Sequence, residues 1–314
     1  MIFLWDYFKK ISGGYLMVKK FNPENGCENS QKISLKQQKN IEWWNKNPMV
    51  YDWEGTLKVE QGTKDFFKAI DQRFFEAHKL FAHPDYPIDI PFSKLINYRE
   101  LKGKKCLEIG CGAGAIAALL AANGGEVTAI DITKRSIELT QKRFEIFGLK
   151  GIIQQGDAEK MVFPNNYFDF IWSWGVIHHT PNPQQAINEV YRVLKHNGCA
   201  KIMLYHRKSF RYWIIGGLYQ GIIKGNLAKM SLEQVNKSFT DGYIAKCYTQ
   251  KEAKIMFSSF RRVKISVMEE GENFIPSRKI NFVLHKLLSK KIKRRIDLFF
   301  KKRYGWFLFI EAVK

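Results

Sequence analysis

The stretch Leu107-Glu108-Ile109-Gly110-Cys111-Gly112-Ala113-Gly114 limits this chain more than any other, because a short apolar run breaks there into a turn with alternating glycines and then into an alanine-rich segment. A buried strand that feeds a tight turn at the start of a helix is the shape of a nucleotide-cofactor cradle. The glycines let the backbone come close to a ligand, and the helix points its amide-rich end at it. Acidic residues follow where such a cradle needs them: Asp131 ends the next apolar run and Asp157 ends the one after.

From residue 104 the chain alternates between strand and helix signals. Lys105–Ile109 reads as a buried strand and 113–122 as a helix closed by Gly124 and Gly125. A second strand over 126–131 leads into a helix capped by Thr133 and stopped at Gly148, and a third strand over 152–155 ends at Gly156-Asp157. The fourth strand is 168–174. Asn182-Pro183 opens a helix through Leu194, Asn197-Gly198 ends it, and 199–205 is the fifth strand. Strands separated by single helices imply an α/β fold with a parallel, doubly wound sheet. The alternation is then interrupted by inserts at 206–259 and 270–304, around a strand at 263–268 and before a terminal strand at 306–313. Residues 1–100 carry aromatics and prolines (Trp43, Trp44, Trp53, Pro84, Pro87, Pro91), a helical pattern over 66–81 and no strong strand alternation. They read as a helical N-terminal extension, with the Trp43 to Trp53 segment either packing on the core or serving as a lid over residues 101–314.

Composition sets outer bounds. At 314 residues and 45% apolar, the chain has enough for one generous core or one domain with large additions. Its five cysteines (Cys27, Cys106, Cys111, Cys199, Cys247) are odd in number, scattered and free of any CxxC pair, which argues against a disulfide framework or a zinc site and for a reducing cytoplasm. Residues 1–7 lack the basic start of a secretory signal, and no apolar run reaches the roughly 18–20 residues that a spanning helix needs.

The net charge of +21 is compatible with nucleic acid, anionic lipid, acidic substrates or simply a lysine-biased genome. It is unevenly spread. Between Lys286 and Arg303 stand nine basic residues and one acid, Asp297, interleaved with Leu287, Leu288, Ile292, Ile296, Phe299 and Phe300 at helical spacing. Such a basic amphipathic helix either docks on the core with a solvated lysine face, contacts an anionic membrane surface from a peripheral position, or binds nucleic acid. Nucleic acid is disfavoured: no RNA-binding module is recognisable, and the basic residues lie among aliphatic and Phe side chains rather than stacking platforms. The apolar segment from Trp213 to Tyr219, too short to span a bilayer, tilts the reading toward an amphiphilic or lipid-linked ligand.

The spacing G-x-G-x-G departs from the G-x-G-x-x-G of dinucleotide sites, and Glu108 beside the first glycine suits a cationic ligand better than a diphosphate. Asp131 lies where a carboxylate accepts from ribose hydroxyls, and Asp157 where one accepts from an exocyclic adenine amine while the Ala158 amide donates to the ring. Here the chain resembles the class I S-adenosylmethionine-dependent methyltransferases, in the small-molecule branch that includes ubiquinone and menaquinone methyltransferases. The matching residues are the glycine motif, Asp131, Gly156-Asp157-Ala158-Glu159, Phe168-Asp169-Phe170-Ile171-Trp172-Ser173, Val176-Ile177-His178-His179 and Arg192-Val193-Leu194-Lys195-His196-Asn197-Gly198, covering roughly residues 100–207. The resemblance implies a Rossmann-like, mostly parallel sheet with an antiparallel last strand, and S-adenosylmethionine as cofactor. Glu108 and Gly110, with Gly112 and Gly114, would sit by the methionine moiety, Asp131 with Ile132 by the ribose, Asp157 and Ala158 by adenine, and Ser173 and Trp174 at the strand end beneath the sulfonium.

Direct transfer asks the protein mainly to align the acceptor and to remove its proton when needed. His178, His179 and Tyr205 stand near the fourth and fifth strand ends and are the catalytic candidates; His178 is favoured, because a His at the position of His179 often braces the loop in this family. No metal-ligand set accompanies the histidines. Tyr51, His206 and Tyr243 are acceptor-contact candidates, the last in a segment where Asp241-Gly242 is first of all a turn signal. The reading is a methyltransferase acting on O, N or C of a small or lipid-linked metabolite. An RNA methyltransferase and a cofactor-binding scaffold without turnover are the alternatives, and the oligomeric state is left open.

Overall fold

The computed structural model describes residues 34–50, 56–83, 90–269 and 289–314. Tyr51, Trp53, Pro84, Pro87, Cys27, the first 18 residues and the 286–288 start of the basic stretch lie outside them.

Among the described residues eight strands form one sheet: β1 (Lys105–Ile109), β2 (Glu126–Asp131), β3 (Ile152–Gln155), β4 (Phe168–Trp174), β5 (Leu194–His206), β6 (Cys247–Tyr248), β7 (Arg262–Met268) and β8 (Phe307–Val313). The order along the sheet is β3-β2-β1-β4-β5-β8-β7, with the short β6 paired to the end of β5. The first five are parallel neighbours, and β8 is antiparallel to both β5 and β7. The strand order reverses between β1 and β4, and in open α/β sheets ligands bind at such a switch point, beyond the carboxyl ends of the strands.

Helices α1 (Leu35–Lys46), α2 (Lys64–His78), α3 (Ala115–Ala122), α4 (Lys134–Ile146) and α5 (Pro183–Val193) precede β5. Helix α5 stops at Val193 and the chain is already strand at Leu194, earlier than the Asn197-Gly198 pair suggests. Asn197 takes a left-handed φ of 63° inside the strand segment, which asparagine tolerates, and its amide donates to the Lys314 carbonyl. The pair therefore shapes the edge of β5 against the chain end rather than closing the helix.

The parallel strands are covered on both faces, so they read as apolar runs rather than alternating ones. One face packs Leu107, Ile109 and Ile171 on Ile187 and Val190 of α5. The other packs Cys106, Phe170 and Trp172 with α3, α4 and the N-terminal extension. The extension is held by α2, whose Phe66, Phe67, Ile70 and Phe74 are buried at helical spacing, about 1.5–3 kcal/mol of apolar burial each. Thr63 caps this helix by accepting from the Phe66 amide. Arg143 of α4 is 1% exposed, donates through both terminal nitrogens to Asp71 of α2 at 2.7 and 2.8 Å, and lies over the Phe67 ring.

The insert after β5 contains a wide π-helix over Arg211–Ile223, helix α6 (Leu232–Ser238) and helix α7 (Gln250–Met256). The second insert ends in the basic helix α8 (Lys290–Tyr304), capped by Ser289.

Candidate functional site

A cavity of about 1020 Å³ opens at the carboxyl ends of β1, β2, β4 and β5 and is roofed by the extension. It lies at the top of the roughly 300–1,000 Å³ range of single-ligand pockets, so it has room for a cofactor and a second molecule.

Its floor is the glycine turn. Gly110, Gly112 and Gly114 all have left-handed φ, 76°, 55° and 78°. Their space requirements differ: a Cβ on Gly110 would meet Val176 at 2.1 Å and one on Gly114 would meet Thr140 at 2.8 Å, whereas one on Gly112 would meet only the Met49 carbonyl at 3.9 Å. Two of the glycines therefore serve protein packing, and Gly112 keeps backbone open to the cavity. Gly114, unlike Gly110 and Gly112, does not line the cavity.

The carboxylates stand at successive strand ends. Asp131 accepts from the Gly112 amide at 3.1 Å and from the Thr133 amide and hydroxyl at 2.9 and 2.8 Å, while burial raises its pKa. These bonds fix the second strand end to the glycine turn. Asp157 accepts from the Glu159 amide at 2.8 Å and from Gln37 Nε2 of the roof at 3.0 Å. Glu108 is buried, its Oε2 has no hydrogen-bond partner, and desolvation pushes its pKa up to about 8. A buried carboxyl with one oxygen unpartnered is costly to ionise unless a cation meets it, so the site fits a ligand with a positive group beside Glu108 and an open edge at Gly112. S-adenosylmethionine, with its ammonium and sulfonium, fits this socket. Ile132, Gly156 and Ala158 also line the floor, and Trp174 lines the wall, stacked on Trp172 at 5.7 Å. Ser173 lies beneath that wall, buried and bonded to the Ile109 carbonyl at 3.4 Å.

The other end of the cavity is aromatic and carries one polar cluster. Trp43 and Trp44 of α1, Phe92, Tyr205, Trp306 and Phe307 line it. Within it, the Tyr205 hydroxyl donates to Asp241 at 2.7 Å, and the other oxygen of Asp241 lies 3.9 Å from His179 Nε2. His179 Nδ1 faces the Ile244 carbonyl, an acceptor, so Nδ1 carries the proton and Nε2 is left as a lone-pair acceptor. That Nε2 is buried without a hydrogen-bond partner, and desolvation lowers the ring's pKa, keeping it neutral. Gly242 makes the arrangement possible: its φ is 85°, and a Cβ there would meet His179 Nδ1 at 2.6 Å.

The sequence-derived candidates separate on this geometry. His179, Tyr205, Glu108, Asp131, Ile132, Asp157, Ala158, Gly110, Gly112 and Trp174 line the cavity. His178 does not; it is fully buried under the Tyr205 ring at 3.9 Å, which takes it away from any acceptor and corrects the preference for it over His179. His206 is buried with Nδ1 on the Gly305 carbonyl at 2.9 Å, and Tyr243 stacks under Lys237 at 4.8 Å; neither reaches the cavity. Tyr51 lies outside the described residues. Gln37, Asn40, Asp241, Arg211 and Trp306 line the cavity without having been singled out. Asp241-Gly242 was visible only as a turn, and Gln37 and Asn40 sit in a polar helix with no motif around them. Gln37 Oε1 and Asn40 Oδ1 are buried without partners, and the Asn40 amide donates to the His179 carbonyl at 3.0 Å.

Residues 107–202 match the family described as "Methyltransferase domain". Among curated proteins, the ubiquinone biosynthesis O-methyltransferase of Bordetella avium (strain 197N) is 24% identical over 168 residues, covering 52% of this chain and 69% of that protein. The enzyme of the same name from Rickettsia prowazekii (strain Madrid E) is 34% identical over 125 residues, covering 39% of this chain and 49% of that protein. Apart from the Bordetella protein, the chain spans about half the length of the curated relatives it matches. Among solved structures, a SAM-dependent methyltransferase from Aquifex aeolicus is 16% identical, with 70% of this chain and 87% of that one covered and a TM-score of 0.42. With the glycine turn, the acidic strand ends and the Glu108 socket in place, the chain carries a class I methyltransferase domain whose methyl donor is S-adenosylmethionine.

Proposed function

We propose that this protein methylates a hydroxyl oxygen of a small, largely apolar acceptor, aromatic or lipid-linked. The observation that carries the reading is the buried, unpartnered Nε2 of His179, a residue that lines the aromatic chamber. When bound, S-adenosylmethionine supplies a methyl group on a sulfonium, which leaves as a neutral thioether. His179 then has two roles on one ring: Nδ1 braces the loop through Ile244, and Nε2 takes the proton of the acceptor hydroxyl. Asp241 steadies the resulting imidazolium and is itself oriented by Tyr205. The aromatic wall aligns the acceptor and excludes water. Glu108 pairs with the donor's cationic end, Asp131 holds the ribose, and Asp157 with Ala158 holds adenine. The names of the curated relatives, O-methyltransferases of ubiquinone biosynthesis, support oxygen as the accepting atom.

The test is transfer of tritium from methyl-labelled S-adenosylmethionine into fractions of a native cell extract. Label in an organic-soluble ether is expected. Label in RNA would favour the nucleic-acid alternative, and cofactor binding without label in any fraction would make the protein a scaffold.

A further inference from the structure

We infer that the two inserts form one docking face beside the mouth of the cavity, and that its partner is the surface of an anionic phospholipid bilayer. This goes beyond the transfer chemistry, and the two stand or fall on different measurements.

Both inserts carry a helix packed inside out. In the π-helix Arg211–Ile223 the buried residues are Tyr212, Gly216, Gly217 and Gly221, at the four-to-five spacing of that wide helix. A Cβ on Gly216 would stand 2.2 Å from Asn236 Oδ1 and one on Gly221 2.8 Å from Leu227, so the glycines let the helix lie flat on its neighbours. Its large apolar side chains point the other way: Trp213, Ile214, Leu218, Tyr219, Ile222 and Ile223 are between 41% and 65% exposed. Helix α8 repeats the inversion. Among its described side chains the buried one is Lys293, paired with Asp297 at 2.9 Å, while Ile292, Ile296 and Phe299 are exposed. The sequence pattern shows this helix as amphipathic, and core docking would hide its apolar stripe; the structure leaves that stripe outside.

The start of the π-helix lies against the chain just after α8. The Arg211 guanidinium, at the start of the π-helix, lies 5.0 Å from the Trp306 ring centre, and Trp306 follows α8 after a single glycine. Arg211 and Trp306 both line the cavity. Clustered exposed apolar side chains of this kind mark an interaction site. The charge selects the partner. Residues 207–229 carry five basic residues and no acid, and α8 carries eight basic residues and one acid. A second copy of the chain would set like charge against like charge, and RNA would leave the aliphatic stripe in water. A bilayer with anionic headgroups takes the apolar side chains into its interface and the lysines and arginines at its surface. Among the described residues no helix is long and apolar enough to cross a membrane, so the face lies on the bilayer.

The experiment is flotation of the full chain with phosphatidylcholine vesicles with and without phosphatidylglycerol. Binding to the anionic vesicles is expected, weak binding to the neutral ones, and release at high salt. Neutralising Arg294, Arg295 and Lys302 together (each to Gln) is expected to lower the partition about a hundredfold, at about fivefold per basic residue near the surface. A second variant, Trp213→Ser with Ile222→Ser and Ile223→Ser, is expected to lose partition while keeping wild-type cofactor affinity by calorimetry, which reports that the fold is intact. Flotation of both variants equal to wild type would overturn the inference. So would retention on RNA with vesicles left unbound, or a stable dimer in which Trp213 fluorescence is buried.

Discussion

The cofactor end of the cavity is built from strand ends, Glu108, Asp131 and Asp157, that follow one another in sequence, and backbone amides hold Asp131 and Asp157 in place. The proposed acceptor end gathers Trp44, His179, Tyr205, Asp241 and Trp306 from an N-terminal helix, two strand ends and an insert, and side chains hold one another there. Backbone positioning fixes a charge independently of its neighbours. Side-chain positioning fixes it only while every partner is present, so the two ends should respond differently to mutation.

The largest expected effect falls on the acceptor end. His179→Gln is expected to lower turnover by about 10²–10⁴-fold and to leave the cofactor dissociation constant unchanged, measured by label transfer and calorimetry. A parallel loss of cofactor affinity would erase the distinction between the ends. Next comes the joint that holds the roof. Asp71→Ala strands the buried Arg143 charge and is expected to cost about 3–5 kcal/mol in urea unfolding, with Asp71→Asn costing less because the carboxamide still accepts one bond. A change of a few tenths would mean that the extension is not fastened to α4 through this pair.

At the cofactor end, Asp131→Ala is expected to weaken S-adenosylmethionine binding by about 1–3 kcal/mol with turnover of the saturated enzyme little changed. An unchanged dissociation constant would contradict the ribose assignment. The smallest effect is expected for Gln37→Ala, which removes the bond from the roof to Asp157: about 0.5–1.5 kcal/mol of cofactor affinity, read by the same calorimetry. A loss of turnover larger than the loss of affinity would assign Gln37 to the acceptor end instead.

This difference in construction explains what could be read from the chain. The succession of strands and helices and the carboxylates at the strand ends were legible because each residue stands at a fixed offset from a glycine turn or the end of an apolar run. The acceptor end was legible only where it touched those strands, as with His179 and Tyr205. Adjacent histidines look alike in sequence; the one that faces the cavity is decided by the three-residue turn Ile177–His179, which buries His178 under Tyr205. Asp241 and Gly242 carry a turn signal that hides a steric one, room for the His179 ring. Gln37 and Asn40 are polar positions on a polar helix, and only the fold shows them buried against Asp157 and the His179 carbonyl. The exposed glycine-backed π-helix was visible as an apolar segment, but nothing in its sequence says that the glycines face inward.

The central claim, that a cationic methyl donor sits against Glu108, is tested most directly by calorimetric titration of the protein with S-adenosylmethionine across pH, with Glu108→Gln as reference. Burial holds the free carboxyl protonated up to about pH 8, so cofactor binding below that pH has to release its proton. Relative to the Gln variant, wild-type affinity should rise by up to about tenfold per pH unit as the pH approaches 8 and then level off. The donor's own amine titrates in the same range and affects both proteins alike. Identical pH profiles for wild type and Glu108→Gln, or no binding to either, would contradict the account.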